Sequence, residues 1–297
     1  MKLLIALSLL LCIALAFKKG GPRNTQRECL GSMVQKVAVI PRIANGQTAA
    51  ANKFPYQAGL LFFDGERSRF CGGSLINKEW VLTAAHCTLT AISVSVFLGS
   101  ITRLDPIVRL EVDKCDIKGH PEYDVATKIN DIALIKIPAV KYSAAIKPVS
   151  LPKCALCYPN YIGKTVVASG WGRTSDKTTS CSPVLQFANL KVISNEVCAA
   201  EYVSYKIDTG HMCTSTVNGI GGCRGDSGGP LVLKSSKLQI GIMSYHSHRG
   251  CESESPAVHT RVTSYLDWIQ ENTGLELNEK KGLSHHGTHA YISDFSA

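Results

Sequence analysis

Apolar residues recur in short runs separated by Gly, Pro and Asn: 57–63, 80–84, 93–98, 107–112, 132–137, 165–169, 231–233 and 238–244. Many short β-rich runs with turn residues between them predict an all-β barrel or sandwich rather than a helical or α/β protein. Late in the chain the period changes. Val262, Tyr265, Leu266 and Ile269 stand at i, i+3, i+4 and i+7, which predicts an amphipathic helix over 262–270 ending near Gly274. Residues 275–297 are polar and aperiodic and read as a flexible tail, in which His285, His286 and His289 are tail residues rather than metal ligands.

The first seventeen residues follow neither period. Lys2 precedes an apolar run, Leu3 to Phe17, that carries the small-residue sequence Ala14-Leu15-Ala16 near its end. That is the layout of a signal peptide, here residues 1–16, and it is shorter than the roughly 20 residues a membrane span needs. The expected location is secreted and extracellular, with no membrane partner.

Charge divides the chain further. Residues 17–42 carry Lys18, Lys19, Arg23, Arg27, Lys36 and Arg42 against Glu28 alone. Together with Lys2 they account for six of the net nine positive charges, leaving three for residues 43–297. A nucleic-acid site would spread its charge over a folded face. The excess therefore reads as a solvated propeptide, 17–42, and no nucleic-acid partner is expected.

Twelve cysteines in an exported chain read as a disulfide framework, since thiols oxidise outside the cell. Loss of Cys12 with the signal peptide leaves an odd eleven. Cys154-Ala155-Leu156-Cys157 has no thioredoxin-like surroundings that would make it a redox pair. Asn-x-Ser/Thr does not occur, so N-glycosylation is not expected.

The candidate chemistry centres on Cys223-Arg224-Gly225-Asp226-Ser227-Gly228-Gly229-Pro230. A serine hydroxyl is a weak nucleophile without a base. Leu82-Thr83-Ala84-Ala85-His86-Cys87 offers one, and Asn130-Asp131-Ile132-Ala133-Leu134 offers an acid to orient it. With Pro41-Arg42-Ile43-Ala44-Asn45-Gly46 and Gly170-Trp171-Gly172, these segments resemble the trypsin and chymotrypsin family of secreted serine endopeptidases. Gly170 to Asp176 and Phe54-Pro55-Tyr56-Gln57 resemble arthropod chymotrypsin-like members. The resemblance covers residues 43–274, the expected catalytic domain.

The resemblance implies two packed antiparallel six-stranded β-barrels with a C-terminal helix. It implies His86, Asp131 and Ser227 as base, orienting acid and nucleophile, and the N–H groups of Gly225 and Ser227 as an oxyanion hole. It implies cleavage between Arg42 and Ile43 by a trypsin-like protease, freeing an amine that pairs with Asp226. Ala44 departs from the family's usual Val. It pairs Cys71 with Cys87, Cys198 with Cys213 and Cys223 with Cys251, and leaves Cys29, Cys115, Cys154, Cys157 and Cys181 over. Cys29 could tether the propeptide through Cys154 or Cys157.

For the substrate pocket the resemblance implies Gly221 at the base, where an Asp would select Arg or Lys, so trypsin-like specificity is not expected. His246 and Ala257 stand where the family has wall glycines, Ser244 and Tyr245 on the segment that pairs with substrate backbone, His259 where Tyr is common and Arg224 at the rim. Small or medium apolar side chains are the expected substrates. The alternatives are an acid-selective protease using His246, His259 and Arg224, which histidine protonation would favour, or a binding protein on a protease scaffold. Arg224-Gly225-Asp226 also spells an adhesion tripeptide, which pairing of Asp226 with Ile43 would leave unavailable. Neither cofactor nor metal is expected: around Gly99 to Glu111, Ser100 and Arg109 stand near the places of the family's calcium ligands. Partners are protein or peptide substrates, the activating protease and protein inhibitors.

Overall fold

The computed structural model describes residue 43 and residues 46–153, 160–202 and 206–277. The leader, Arg42, Ala44, Cys29, Cys154, Cys157 and the three tail histidines lie outside these. All described residues belong to one compact unit, Ile40–Ala297.

Among the described residues this unit holds fourteen strands and three α-helices. The first half holds β1 (Gln47–Thr48), β2 (Gln57–Phe63), β3 (Ser68–Asn77), β4 (Trp80–Thr83), α1 (Ala85–Thr88), β5 (Ser93–Leu98), β6 (Val108–Asp113), β7 (Ile117–Gly119) and β8 (Ala133–Lys136). The second holds β9 (Thr165–Gly170), β10 (Gln186–Ile193), α2 (Asn195–Glu201), β11 (His211–Ser215), β12 (Pro230–Leu233), β13 (Gln239–Tyr245), β14 (Ala257–Arg261) and α3 (Leu266–Thr273).

Every pairing between these strands is antiparallel. One sheet runs β6-β5-β2-β3-β4-β8-β7. Its two ends, β6 and β7, are separated in the chain only by Lys114–Asp116, so the sheet curls back on itself. The other runs β10-β11-β14-β13-β12-β9 and closes through β9 on β10, with β1 added at the side. Closure removes exposed edges. The result is two antiparallel barrels. Leu60, Leu75, Val81, Val96, Leu134 and Ile135 fill the first, and Val166, Leu190, Met212, Leu231 and Ile240 the second.

The chain's end bridges the halves. Residues Val262–Tyr265 form a 3-10 turn that leads into α3, and Val262, Tyr265, Leu266 and Ile269 pack into the core of the first barrel. Gly274, at φ 72°, stops the helix and donates its N–H to the Gln270 carbonyl. The helix therefore begins four residues later than its apolar period suggests. Within the tail expected from Leu275, Leu277 is instead buried in the same core, and its N–H donates to Gln270 Oε1 at 3.0 Å.

Where the barrels meet, short polar contacts add to apolar packing such as that of Val232 and Ile242 on the first barrel's core. Ser74 Oγ donates to Gln239 Oε1 and Ser169 Oγ to Gln57 Oε1, both at 2.6 Å and both buried. Buried polar groups are costly unless paired, so these contacts fix one relative position of the barrels.

Candidate active site

Strand β4 ends at Thr83, and α1 then turns His86 toward the seam between the barrels. The His86 backbone N–H donates to Asp131 Oδ1 at 2.8 Å, and His86 Nδ1 lies 2.8 Å from Asp131 Oδ2. Asp131 is fully buried two residues before β8 begins. Its Oδ2 also accepts from the Ser244 hydroxyl of β13 at 2.5 Å, and its carbonyl accepts from Thr260 Oγ1 of β14 at 2.7 Å. Both barrels thus hold this one residue. Burial alone would raise the Asp131 carboxyl, but the adjacent His86 ring and the hydrogen bonds from His86 and Ser244 outweigh it and hold the pKa below the ordinary carboxylate value.

Ser227 reaches the same seam from the second barrel. Its carbonyl accepts from the Gly72 N–H of β3 at 2.8 Å, and the neighbouring Cys71 is bridged to Cys87, the residue after His86. Ser227 and Ser244 line one pocket, so serine, histidine and aspartate converge. The Ser227 hydroxyl itself has no hydrogen-bond partner among the described residues, whereas His86 and Asp131 are already joined.

Asp226 points the other way. It is buried, and its two oxygens accept from the N–H groups of Gly172 at 2.7 Å and Cys223 at 2.9 Å. A Cβ on Gly170 or Gly172 would fall 2.2 to 2.3 Å from those oxygens, which gives the Gly-Trp-Gly motif its physical reason. Among the described residues no cation pairs with Asp226, and burial pushes its pKa up to about 6. Ile43 is fully buried in the second barrel's core, at φ 55°. That conformation is unusual for a β-branched residue.

Gly225 has φ 100°, and a side chain there would strike Cys181 Sγ at 2.6 Å. Cys181 and Cys115 are free thiols. Cys71–Cys87, Cys198–Cys213 and Cys223–Cys251 are cystines. The clusters Cys71, His86, Cys87 and Asp176, Cys223, Cys251 take their sulfurs from these bridges, so they offer no thiolates to a metal. On β6 itself, Arg109 Nε pairs with Glu111 Oε1 at 2.7 Å.

The pocket beside Ser227 is lined by Gly222, Met243, Tyr245, His246, Ala257 and His259 among others, and encloses only about 20 Å³ of free interior, room for roughly one water. Two expected pocket residues border this space rather than line it. Gly221, next to Gly222 of the lining, is buried against Thr216. Arg224 is exposed and lines an adjoining recess. His259 is buried, with Nε2 2.8 Å from Thr214 Oγ1 and Nδ1 without a partner, and burial drives its pKa down to about 3. Burial, then the Arg224 charge, lower the pKa of His246, against a smaller opposing effect of Asp176. Neither imidazole is a cation at neutral pH.

Sequence reasoning missed several of these contacts. The motif around Ser244 points only to substrate backbone, yet its hydroxyl bonds Asp131 across 113 positions. Thr260, Gly72 and Thr214 carried no motif at all. Asp176 lay inside a recognised segment without a role.

Two closed antiparallel barrels with serine, histidine and buried aspartate gathered at their seam define a serine hydrolase of the two-barrel class. The comparisons agree. The trypsin family model matches residues 43–269. Collagenase of Hypoderma lineatum is 42% identical over 79% of this chain and 88% of that protein. Brachyurin of Leptuca pugilator is 40% identical over 78% of this chain and 99% of its own. A solved structure of HL collagenase superposes with a TM-score of 0.74 at 41% identity, covering 78% of this chain and 99% of that one. The chain belongs to the trypsin family of serine endopeptidases, hydrolases of protein and peptide substrates.

Proposed function

We propose that this chain is a secreted endopeptidase, made with signal peptide 1–16 and propeptide 17–42 and activated by a trypsin-like protease at Arg42-Ile43. Ser227 attacks the substrate carbonyl, and His86 takes its proton and returns it to the leaving amine. Asp131 holds the imidazole tautomer, and the N–H groups of Gly225 and Ser227 receive the oxyanion. The observation that carries this reading is the buried Asp131 carboxylate, engaged by two His86 nitrogens and Ser244 beside the Ser227 loop.

The test is labelling with a fluorophosphonate after cleavage by trypsin. The cut protein is expected to label on one serine, and Ser227→Ala to abolish it. A cut, folded protein that does not label would favour the binding-scaffold alternative.

The small pocket supports preference for small apolar side chains at the cleavage site. One methylene too many in such a pocket is worth about 10- to 200-fold. Among Ala, Leu, Phe, Glu and Arg peptides, kcat/KM is expected to be highest for Ala and lowest for Arg. His246→Gly should raise the Leu and Phe values about tenfold or more. Fast Arg cleavage would overturn this. Because both pocket histidines are neutral, the acid-selective alternative lacks its electrostatic support at pH 7.

A further inference from the structure

Beside the primary pocket, and sharing Cys223 and His246 with it, lies a second recess of roughly 500 Å³. Arg173, Arg224, His246, His248 and Arg249 line it, with Asp176 as the only carboxylate. This concentration is local, since residues 43–297 as a whole carry only three net charges.

The negative charge nearby is already committed. Asp176 accepts the N–H of Cys251 on Oδ1 at 2.9 Å and that of Glu252 on Oδ2 at 3.1 Å. The chain passes it so closely that a Cβ on Gly250, at φ 113°, would fall 2.3 Å from Asp176 Oδ2. Glu252 in turn accepts the Asp176 N–H at 2.8 Å. Arg249 pairs with Glu201 at 3.0 Å. Among the described residues, Arg173 and Arg224 have no carboxylate partner.

Both side chains line the recess from backbone that is held in place. The Arg173 N–H donates to the Arg224 carbonyl at 2.8 Å, so one backbone bond fixes both side-chain origins next to Gly225. Arg224 also lies near enough to His246 to oppose its protonation. Cations that line one recess without a salt bridge of their own favour an incoming anion, and guanidinium groups match a carboxylate's geometry.

We infer that this recess binds the carboxylate of an acidic substrate residue flanking the one that enters the primary pocket. This rests on the peptidase reading above. It differs from acid selection in the primary pocket, because the charge is recognised by Arg173 and Arg224 and the cleaved residue stays small.

The test uses the trypsin-activated enzyme and peptides with Ala at the cleavage site, in which Glu or Gln is scanned through three positions on each side. At one or more flanking positions kcat/KM for Glu is expected to exceed that for Gln roughly five- to tenfold. The Glu/Gln ratio, taken within each variant so that changes in basal rate cancel, should fall to about 1 in Arg173→Gln/Arg224→Gln. Arg173→Lys/Arg224→Lys should keep part of it, and raising the salt from 0.05 to 0.5 M should shrink it. A ratio of about 1 at every flanking position overturns the inference, as does a ratio that survives the double Gln change. Acid preference confined to the cleaved residue would likewise overturn it. Failure to cut any peptide, neutral ones included, would instead sink the peptidase reading.

Discussion

Asp131→Asn is expected to lower kcat about 10⁴-fold while leaving KM within a few-fold, a magnitude borrowed from the family rather than calculated from these distances. The reason lies in who donates to this carboxylate. The His86 backbone N–H, the His86 ring and the Ser244 hydroxyl all point at its two oxygens. A carboxylate can only accept, so His86 Nδ1 must carry the proton and Nε2 is left free to take one from Ser227. An Asn amide has one accepting atom and one donating group. With its oxygen kept by the His86 N–H, its NH₂ faces the ring and Ser244, which moves the ring proton to Nε2. The base is then in the wrong tautomer. Burst kinetics on a nitrophenyl ester would show loss of the acylation phase, and ring-nitrogen NMR would show the proton moved. Retention of more than about a tenth of the wild-type kcat would contradict the role given to Asp131.

Where function was legible, the residues that betray it are close together in the chain. His86 and Ser227 each stand in a run whose neighbours have local reasons to be there: Cys87 bridges to Cys71, and Asp226 binds the Gly172 N–H. Contacts made across the seam left no such trace. Ser244 to Asp131 and Thr260 to Asp131 span more than a hundred positions each, and a hydroxyl inside a strand looks the same whether it meets water or a carboxylate. The strands tell a similar story. Strand β3 escaped notice because Cys71, Gly72 and Gly73 interrupt its apolar pattern, although small residues are what let Gly72 approach within contact of Gly229. Strands β10, β11 and β14 were missed because they bury polar residues, His211, Thr214, His259 and Thr260 among them. Burial of hydroxyls and imidazoles is set by partners in other strands, which no local window contains.

Cleavage after Arg42 is expected to raise activity at least about 100- to 1000-fold, the worth of an intact oxyanion donor, and to reverse the pH dependence that Asp226 gives to stability. In the uncut chain this carboxyl is buried with two N–H donors and no cation among the described residues, and its pKa is about 6 against an ordinary 3.8. A raised native pKa means the folded state prefers the protonated form. The stabilising contribution is therefore complete below about pH 4 and is lost as pH rises through 6, by about 3 kcal/mol. Once Ile43 carries a free ammonium paired with it, the Asp226 pKa should fall below its unfolded value. The contribution is then present at neutral pH and lost as pH falls. Thermal melts of Ser227→Ala protein, which cannot digest itself, would separate the two cases when each is compared with Asp226→Asn at pH 4.5 and 7.5. Uncut protein should gain from Asp226→Asn at pH 7.5, because the substitution removes an unpaired buried charge. Cut protein should lose from the same substitution, because it orphans the new ammonium. Equal signs in the two forms would refute the coupling between Ile43 and Asp226, and so would full activity in an uncut Arg42→Gln protein.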